Sequence, residues 1–310
     1  MEKELLGFLE RIAISLEDIA VSLREQKALM RRQLAGVPMP VPAQPNNIPA
    51  PSVSGSDIRS LLAKHYIIFC DAEPTIVPDV IDKEMDRIAY YIGMRYRAVE
   101  PLMYKLKKFI KPGMSSFTLR ARGLDPYAIR SMCELCSYLH ELAFLEEYHF
   151  REAPECKIEA QVNAIGLVQN FISGGWFERY IAKVTADVAD HFVKANPDLQ
   201  GFDILRNVNV ETLGREEREL DVLLGVGNEL YWIECKSGEW QSSLSKYQNI
   251  AAEHGFTSDH AFLVIAKTAA ERRGNVSYEQ YGIKICDIET FGRELAAALT
   301  RDLQRMPMLG

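Results

Sequence analysis

Residues 218–238 read RELDVLLGVGNELYWIECKSG. Two apolar, β-rich runs flank Gly227-Asn228, a dipeptide suited to a two-residue hairpin turn. With those two residues as the turn, Val226 pairs with Glu229, and the same register sets Asp221 opposite Glu234. Side chains alternate along a strand, so Glu234 and Lys236 share a face and Cys235 points away. Directly opposed side chains stand about 4.5–5.5 Å apart at Cβ. Two carboxylates roughly 5 Å apart repel by about 3 kcal/mol at an effective dielectric near 20. Sheets avoid opposed like charges. A divalent cation removes the conflict, because hard cations favour clustered carboxylate oxygens. A lysine two residues on can hold a water or stabilise charge developing on a phosphate. The alternative is a surface salt bridge between Lys236 and either acid. It leaves unexplained why these charges sit in so apolar a stretch. The spacing suits metal-assisted phosphodiester hydrolysis.

Outward from this hairpin, residues 161–310 alternate helical and strand patterns, which predicts an α/β domain. A helix is expected over 176–194, strands over 217–226 and 229–236, and a helix over 240–254. Further strands are expected over 260–267 and 282–287, and an amphipathic helix over 290–305. The first of these helices opens with GGWFERYIAKV, which places Glu178 in its first turn, where the helix dipole also favours an acid. Asp221, then Glu234-Cys235-Lys236 on a hairpin, preceded by a helix bearing an acid, resembles the PD-(D/E)xK nuclease superfamily. The pair GGWFE and ELDVLL…LYWIECKSG looks most like the nuclease half of certain CRISPR ancillary effectors, which couple it to a sensor of cyclic oligoadenylates. The resemblance covers roughly residues 160–300. It implies a restriction-endonuclease-like fold in which Asp221 and Glu234 ligate Mg²⁺ or Mn²⁺, helped by the backbone carbonyl of Cys235. It further implies that Lys236 positions the attacking water and that Glu178 orients a water or ligates the metal directly. Lys246, Tyr247 and Gln248, on the helix after the motif, are the auxiliary candidates. A coiled coil, a linker and a winged-helix pattern stand where those effectors carry the sensor, so cyclic-nucleotide regulation is not carried over.

Residues 57–160 read as a compact, mainly helical domain. Helices are expected over 79–93 and 97–111, and a short strand over 117–119. Asp125-Pro126 then starts another helix, with Asp as cap and Pro in the first turn. Two β-like runs, 143–150 and 155–160, close the segment. This order resembles a winged helix-turn-helix. Between residues 95 and 122 the bases are Arg95, Arg97, Lys105, Lys107, Lys108, Lys111, Arg120 and Arg122, and the one acid is Glu100. The segment carries +7, which leaves −14 for the remainder of a chain whose net charge is −7. Such concentrated positive charge neutralises phosphates and releases counterions; a solvated helix face is the alternative. Cys133, Cys136 and His140 share a helix face and are expected to pack in a core.

The N-terminus carries Leu5, Leu9, Ile12, Leu16, Ile19, Leu23 and Met30, with Gln26 in the remaining slot. Steps of four and three alternate, which is the heptad pattern of a coiled coil. Residues 1–33 are therefore expected to form an oligomerisation helix. Residues 34–56, rich in proline, are expected to be an extended linker. The 310 residues are 47% hydrophobic and 25% charged, an ordinary globular composition. No apolar run reaches the roughly 18–20 residues of a membrane span. Six scattered cysteines and an acidic N-terminus fit a reduced, cytoplasmic setting. The sequence thus predicts a homo-oligomeric, metal-dependent nuclease acting on nucleic acid, with DNA favoured over RNA through the winged-helix pattern. A non-catalytic, oligomeric winged-helix DNA-binding protein on a degenerate nuclease fold is the second reading. A coiled-coil scaffold with a basic face for an acidic protein is the third.

Overall fold

The computed structural model describes residues 57–70, 77–110, 115–152, 154–199, 201–211, 216–267 and 282–305. The heptad segment 1–33, the linker 34–56 and Lys111 lie outside the described residues. The described chain falls into two compact units. Residues 78–172 form the first, and residues 57–77 with 173–305 form the second.

In the first unit, helices α2 (Asp79–Met94) and α3 (Tyr96–Phe109) precede strand β2 (Ser116–Arg120), helix α4 (Pro126–Glu141) and the strands β3 (Leu145–Arg151) and β4 (Lys157–Val162). Asp125 caps α4 as expected, its carboxylate accepting the Tyr127 N–H at 3.1 Å. The three strands form an antiparallel sheet in the order β2-β4-β3. Ile88 and Ile92 of α2, Leu102 and Leu106 of α3, and Leu135 and Leu139 of α4 are buried at helical spacing. Of the face expected to pack, Cys136 is buried among them and Cys133 is half-buried, whereas His140 is exposed with its ring bound to the Leu145 carbonyl at 3.0 Å.

The second unit begins with helix α1 (Ile58–Lys64) and strand β1 (Ile68–Phe69). The first unit ends with α5 (Gly166–Asn170); a single π turn (Phe171–Gly175) spans the boundary, and helix α6 (Trp176–Ala195) resumes the second unit. Strands β5 (Phe202–Glu211), β6 (Glu217–Val226) and β7 (Glu229–Lys236) follow, then helix α7 (Leu244–Glu253), strands β8 (Ala261–Ile265) and β9 (Lys284–Asp287), and helix α8 (Phe291–Arg305). The strands make one mixed sheet, β1-β5-β6-β7-β8-β9, antiparallel from β1 to β7 and parallel from β7 to β9. Core side chains of α1 and α7 cover one face together with Trp232, Leu223 and Leu263. Helices α6 and α8 pack together on the other, where Phe291 meets Phe262 edge-on. With both faces covered, β7 and β8 are buried almost throughout, which is why their sequences are nearly continuous apolar runs.

Two expectations need correction. Residues 57–70 do not belong with 78–160, and the boundary after the first unit falls at 172 rather than 160. Ile58, Leu61, Leu62 and Ile67 find their apolar partners in the second unit's core. β1 pairs there with β5, and a reciprocal clasp fastens the segment. His65 Nδ1 donates to the His254 carbonyl at 2.8 Å, and His254 Nδ1 donates to the His65 carbonyl at 2.9 Å. Strand β5 was not foreseen, because Arg206, Asn207 and Asn209 interrupt its apolar pattern. Among the described residues no helix is long and apolar enough to cross a membrane.

Candidate active site

The turn at Gly227-Asn228 forms as the sequence predicts. Gly227 adopts φ +59°, which suits the first central position of a tight hairpin. Val226 pairs with Glu229, and the same register runs back to Val222 opposite Ile233. The β6–β7 ladder ends there, one step short of Asp221 and Glu234. Cys235 N–H is taken up by the Asp221 carboxylate at 2.7 Å instead of by β6 main chain. The N–H and C=O of one strand residue point to the same edge, so the Cys235 carbonyl faces this opening too. β7 continues beside β8, where Ala266 N–H donates to the Lys236 carbonyl at 2.9 Å. The strands therefore fork, and the two carboxylates stand at the mouth of the fork.

The fork has a cause on its far side. Asn207 lies opposite Asp221 on β5, and both drop out of the β5–β6 ladder although the register is the same before and after them. Asn207 has φ +52°, a left-handed conformation that Asn tolerates better than most residues. The side-chain alternation changes phase at this point. Val208 and Leu220 on one side of the break and Leu223 on the other all join the same core layer. The irregularity turns the Asp221 side chain into the gap between β6 and β7.

Asp221 and Glu234 are 7% and 5% exposed. Lys236 Nζ lies 2.6 Å from Glu234 Oε1 and 3.9 Å from Asp221 Oδ2. Burial, reinforced by the Glu234 charge, pushes the Asp221 pKa up to about 8. Burial works against the charge on Lys236, but Glu234 and Asp221 together hold its pKa above the ordinary value. The Lys236 ammonium also stands 5.3 Å from the centre of the Tyr247 ring on α7.

Glu178 reaches the same region from the first turn of α6. The π turn before it brings the chain against the end of β7, where Ser237 Oγ donates to the Ser173 carbonyl at 2.8 Å. A Cβ at Gly174 would lie 3.5 Å from Glu178 Oε1 and 3.8 Å from Ser237 Oγ, so this passage is close. Burial raises the Glu178 pKa, as does the neighbouring Glu219 charge. Asn207 Nδ2 donates to Glu178 Oε2 at 3.4 Å and opposes that rise. Asn207 is the site residue that the sequence reading missed. The one signal available was an amide in the middle of an otherwise strand-like run.

The structure thus brings Glu178, Asp221, Glu234 and Lys236 together, with Cys235 supplying main-chain groups and Tyr247 packed on the lysine. Lys246 is exposed on α7, and Gln248 is half-buried with its Nε2 unpaired. Among the described residues no three His, Cys, Asp or Glu side chains close on one point, so Glu178 completes no three-carboxylate cage. The donors at the fork are two buried carboxylates and an outward carbonyl. That set fits Mg²⁺ or Mn²⁺, which bind through one or two carboxylates and keep several waters. With both acids ionised, one lysine leaves an excess of negative charge that a divalent cation would neutralise; without the cation, burial favours a protonated Asp221.

In the first unit, Arg97, Lys107, Lys108, Arg120 and Arg122 are exposed, and Lys105 and Arg95 are half-buried. Arg95 lies over the Tyr91 ring at 4.3 Å.

No family model and no curated protein matches the chain. Among solved structures, protein VC1899 from Vibrio cholerae is similar, with a TM-score of 0.52 and 19% identity. The match covers 79% of this chain, which spans 60% of the length of VC1899. At that identity the likeness concerns the fold alone.

Proposed function

We propose that the second unit is a divalent-metal-dependent nuclease of the PD-(D/E)xK type, hydrolysing phosphodiester bonds and favouring DNA. One observation carries this reading: Asp221, Glu234 and Lys236 meet at the mouth of the β6–β7 fork. Asp221 and Glu234, with the Cys235 carbonyl, would hold Mg²⁺ or Mn²⁺, which supplies Lewis-acid polarisation of a phosphoryl oxygen and an acidified water. Lys236 remains an ammonium at neutral pH and offsets the negative charge that grows on the phosphate during attack. Tyr247 restricts where that ammonium can go, which keeps it pointed at the reacting group. Glu178 would orient the attacking water.

The first unit suits a winged-helix module in its element order and in its β2-β4-β3 sheet. In this reading its basic residues hold the nucleic acid. The heptads of residues 1–33 would gather copies into a cytoplasmic homo-oligomer, in which weak binding at each site gains from multivalency. The test is incubation of the purified protein with supercoiled plasmid, linear duplex, single-stranded DNA and RNA across divalent metals, beside an Asp221→Ala form. Cleavage that needs metal and disappears in the variant supports the assignment. Equal cleavage by both forms, or none with any metal, overturns it.

A further inference from the structure

The charge of the first unit is not where a winged-helix duplex reader would need it. Such modules place a recognition helix in the major groove, and in the winged-helix reading α4, the helix before the β3–β4 hairpin, would be that helix. Its exposed residues are Pro126, Tyr127, Arg130 and His140, a single arginine among them. The β3–β4 hairpin is acidic, with five glutamates against Arg151 and Lys157 over residues 145–162. Those two bases are already engaged, Arg151 with Glu159 at 2.8 Å and Lys157 with Glu155 at 2.7 Å.

The positive charge is on α3 instead. Its buried side is Ala98, Val99, Leu102, Met103 and Leu106. The opposite side presents Arg97, Tyr104, Lys107 and Lys108, all exposed. Lys105 and Lys108 hold their ammonium groups 5.7 and 5.9 Å from the Phe109 ring, which gathers both at the end of the helix. In the middle of this face stands Tyr104, 67% exposed. Lys108 lies one turn beyond it, about 6 Å along the axis. A large ring left in water among cations is a poor choice for a solvated helix. It is the combination found where a strand is tracked by charge and its bases stack on aromatics.

We propose that the exposed face of α3 binds single-stranded nucleic acid, with Tyr104 as the platform on which an unpaired base stacks and Lys105 and Lys108 on the flanking phosphates. A paired base hides its ring faces in the helical stack, so the platform selects against intact duplex. The proposal names the substrate class for the nuclease reading and rests on that reading for what happens to the bound strand; the binding face itself does not depend on it.

Binding of labelled oligothymidylate, oligouridylate and a duplex, each about 20 units long, is measured by fluorescence anisotropy on the full chain in EDTA, between about 50 and 200 mM salt. Single strands should bind at least about tenfold tighter than duplex. Tyr104→Ala should lose about tenfold on single strands and less than about twofold on duplex, with Tyr104→Phe close to the parent. Lys108→Glu should weaken every probe and reduce the salt slope by about one or more. Tyr104 lies outside the core, so its removal leaves folding intact, checked by an unchanged melting temperature. The ratio of the two oligonucleotides assigns the source as DNA or RNA. Preference for duplex, an equal loss on both forms in Tyr104→Ala, or no binding overturns the proposal. Displacement by polyglutamate as effective as by unlabelled oligothymidylate does so too, since it would mark a site for an acidic protein. Intact, Tyr104-dependent binding without cleavage in Mg²⁺ supports this proposal and removes the nuclease reading instead.

Discussion

On the β3–β4 hairpin, Lys157 holds Glu155 at 2.7 Å and Glu159 at 3.1 Å, and Arg151 holds Glu159 from the other side. At the β6–β7 fork, one lysine faces Asp221 and Glu234 in a buried setting, with Glu178 and Glu219 close by. Both places put charge on neighbouring strands. The hairpin alternates signs in water, where each pair is worth little. The fork concentrates one sign where water is scarce, which costs stability unless something else supplies positive charge. Glu155 and Glu159 are held below their ordinary pKa, mainly by hydrogen bonds to Lys157. Burial holds Asp221 far above its own. Charges that serve the fold relax their neighbours, whereas charges that strain them call for a role in chemistry.

The sharpest way to break this contrast is at the fork itself. Asp221→Ala should lower metal-dependent cleavage by about 10³-fold or more, as loss of several kcal/mol of transition-state stabilisation requires. Activity within tenfold of the parent would return the fork to the status of an ordinary ion pair. Lys236→Ala should cost about 10²-fold in kcat, and Lys236→Arg should recover part of it. A loss confined to KM would show that the lysine binds substrate without assisting the reaction.

The two regions should also respond to pH with opposite signs. Asp221 has a folded pKa near 8 against an ordinary 3.8, so the folded state binds the extra proton between those values. Its contribution is full below about pH 4 and is lost as pH rises towards 8. Melting of the metal-free protein should therefore drop by about 5 °C between pH 5 and 8.5. Mg²⁺ or Asp221→Asn should flatten the curve. Glu155 and Glu159, with lowered pKa values, lose their contribution only as pH falls below their ordinary 4.5. A melting temperature that rises over the alkaline range would contradict the burial of Asp221.

Backbone and amide can be separated at Asn207. Asn207→Ala should destabilise by about 1–2 kcal/mol, because alanine tolerates φ +52° poorly. Asn207→Gly should restore most of that stability while leaving Glu178 without its amide partner, which urea unfolding and cleavage rates read separately. The smallest effect belongs to the hairpin. Lys157→Ala should move the melting temperature by no more than about 2 °C and leave cleavage unchanged.

The hairpin turn, the register beyond it and the helix carrying Glu178 were legible because each depends on a local rule. Gly227-Asn228 sets the turn, the turn sets the pairing, and GGWFE opens a helix. The break at Asn207 was not legible. A left-handed residue in mid-strand is imposed by neighbouring strands, and nothing within FDILRNVNVE separates it from a loop. Strict alternation therefore put Asp221 on a sheet face, whereas its carboxylate lies in the gap and replaces a main-chain acceptor. The assignment of residues 57–70 failed for a similar reason. Ile58, Leu61 and Leu62 announce burial, but their partners, such as Val208, Trp240 and Phe256, are more than a hundred residues away.

The clasp between His65 and His254 makes the first unit an insertion. The chain enters the larger body, leaves to build residues 78–172, and returns to finish it. Severing the connection after residue 172 would leave both fragments associated, since the amino-terminal piece keeps its helix and strand seated under the sheet. A fragment that starts at 173 would expose the apolar bed of α1 and aggregate. Residues 57–70 supplied as a separate peptide should restore its solubility.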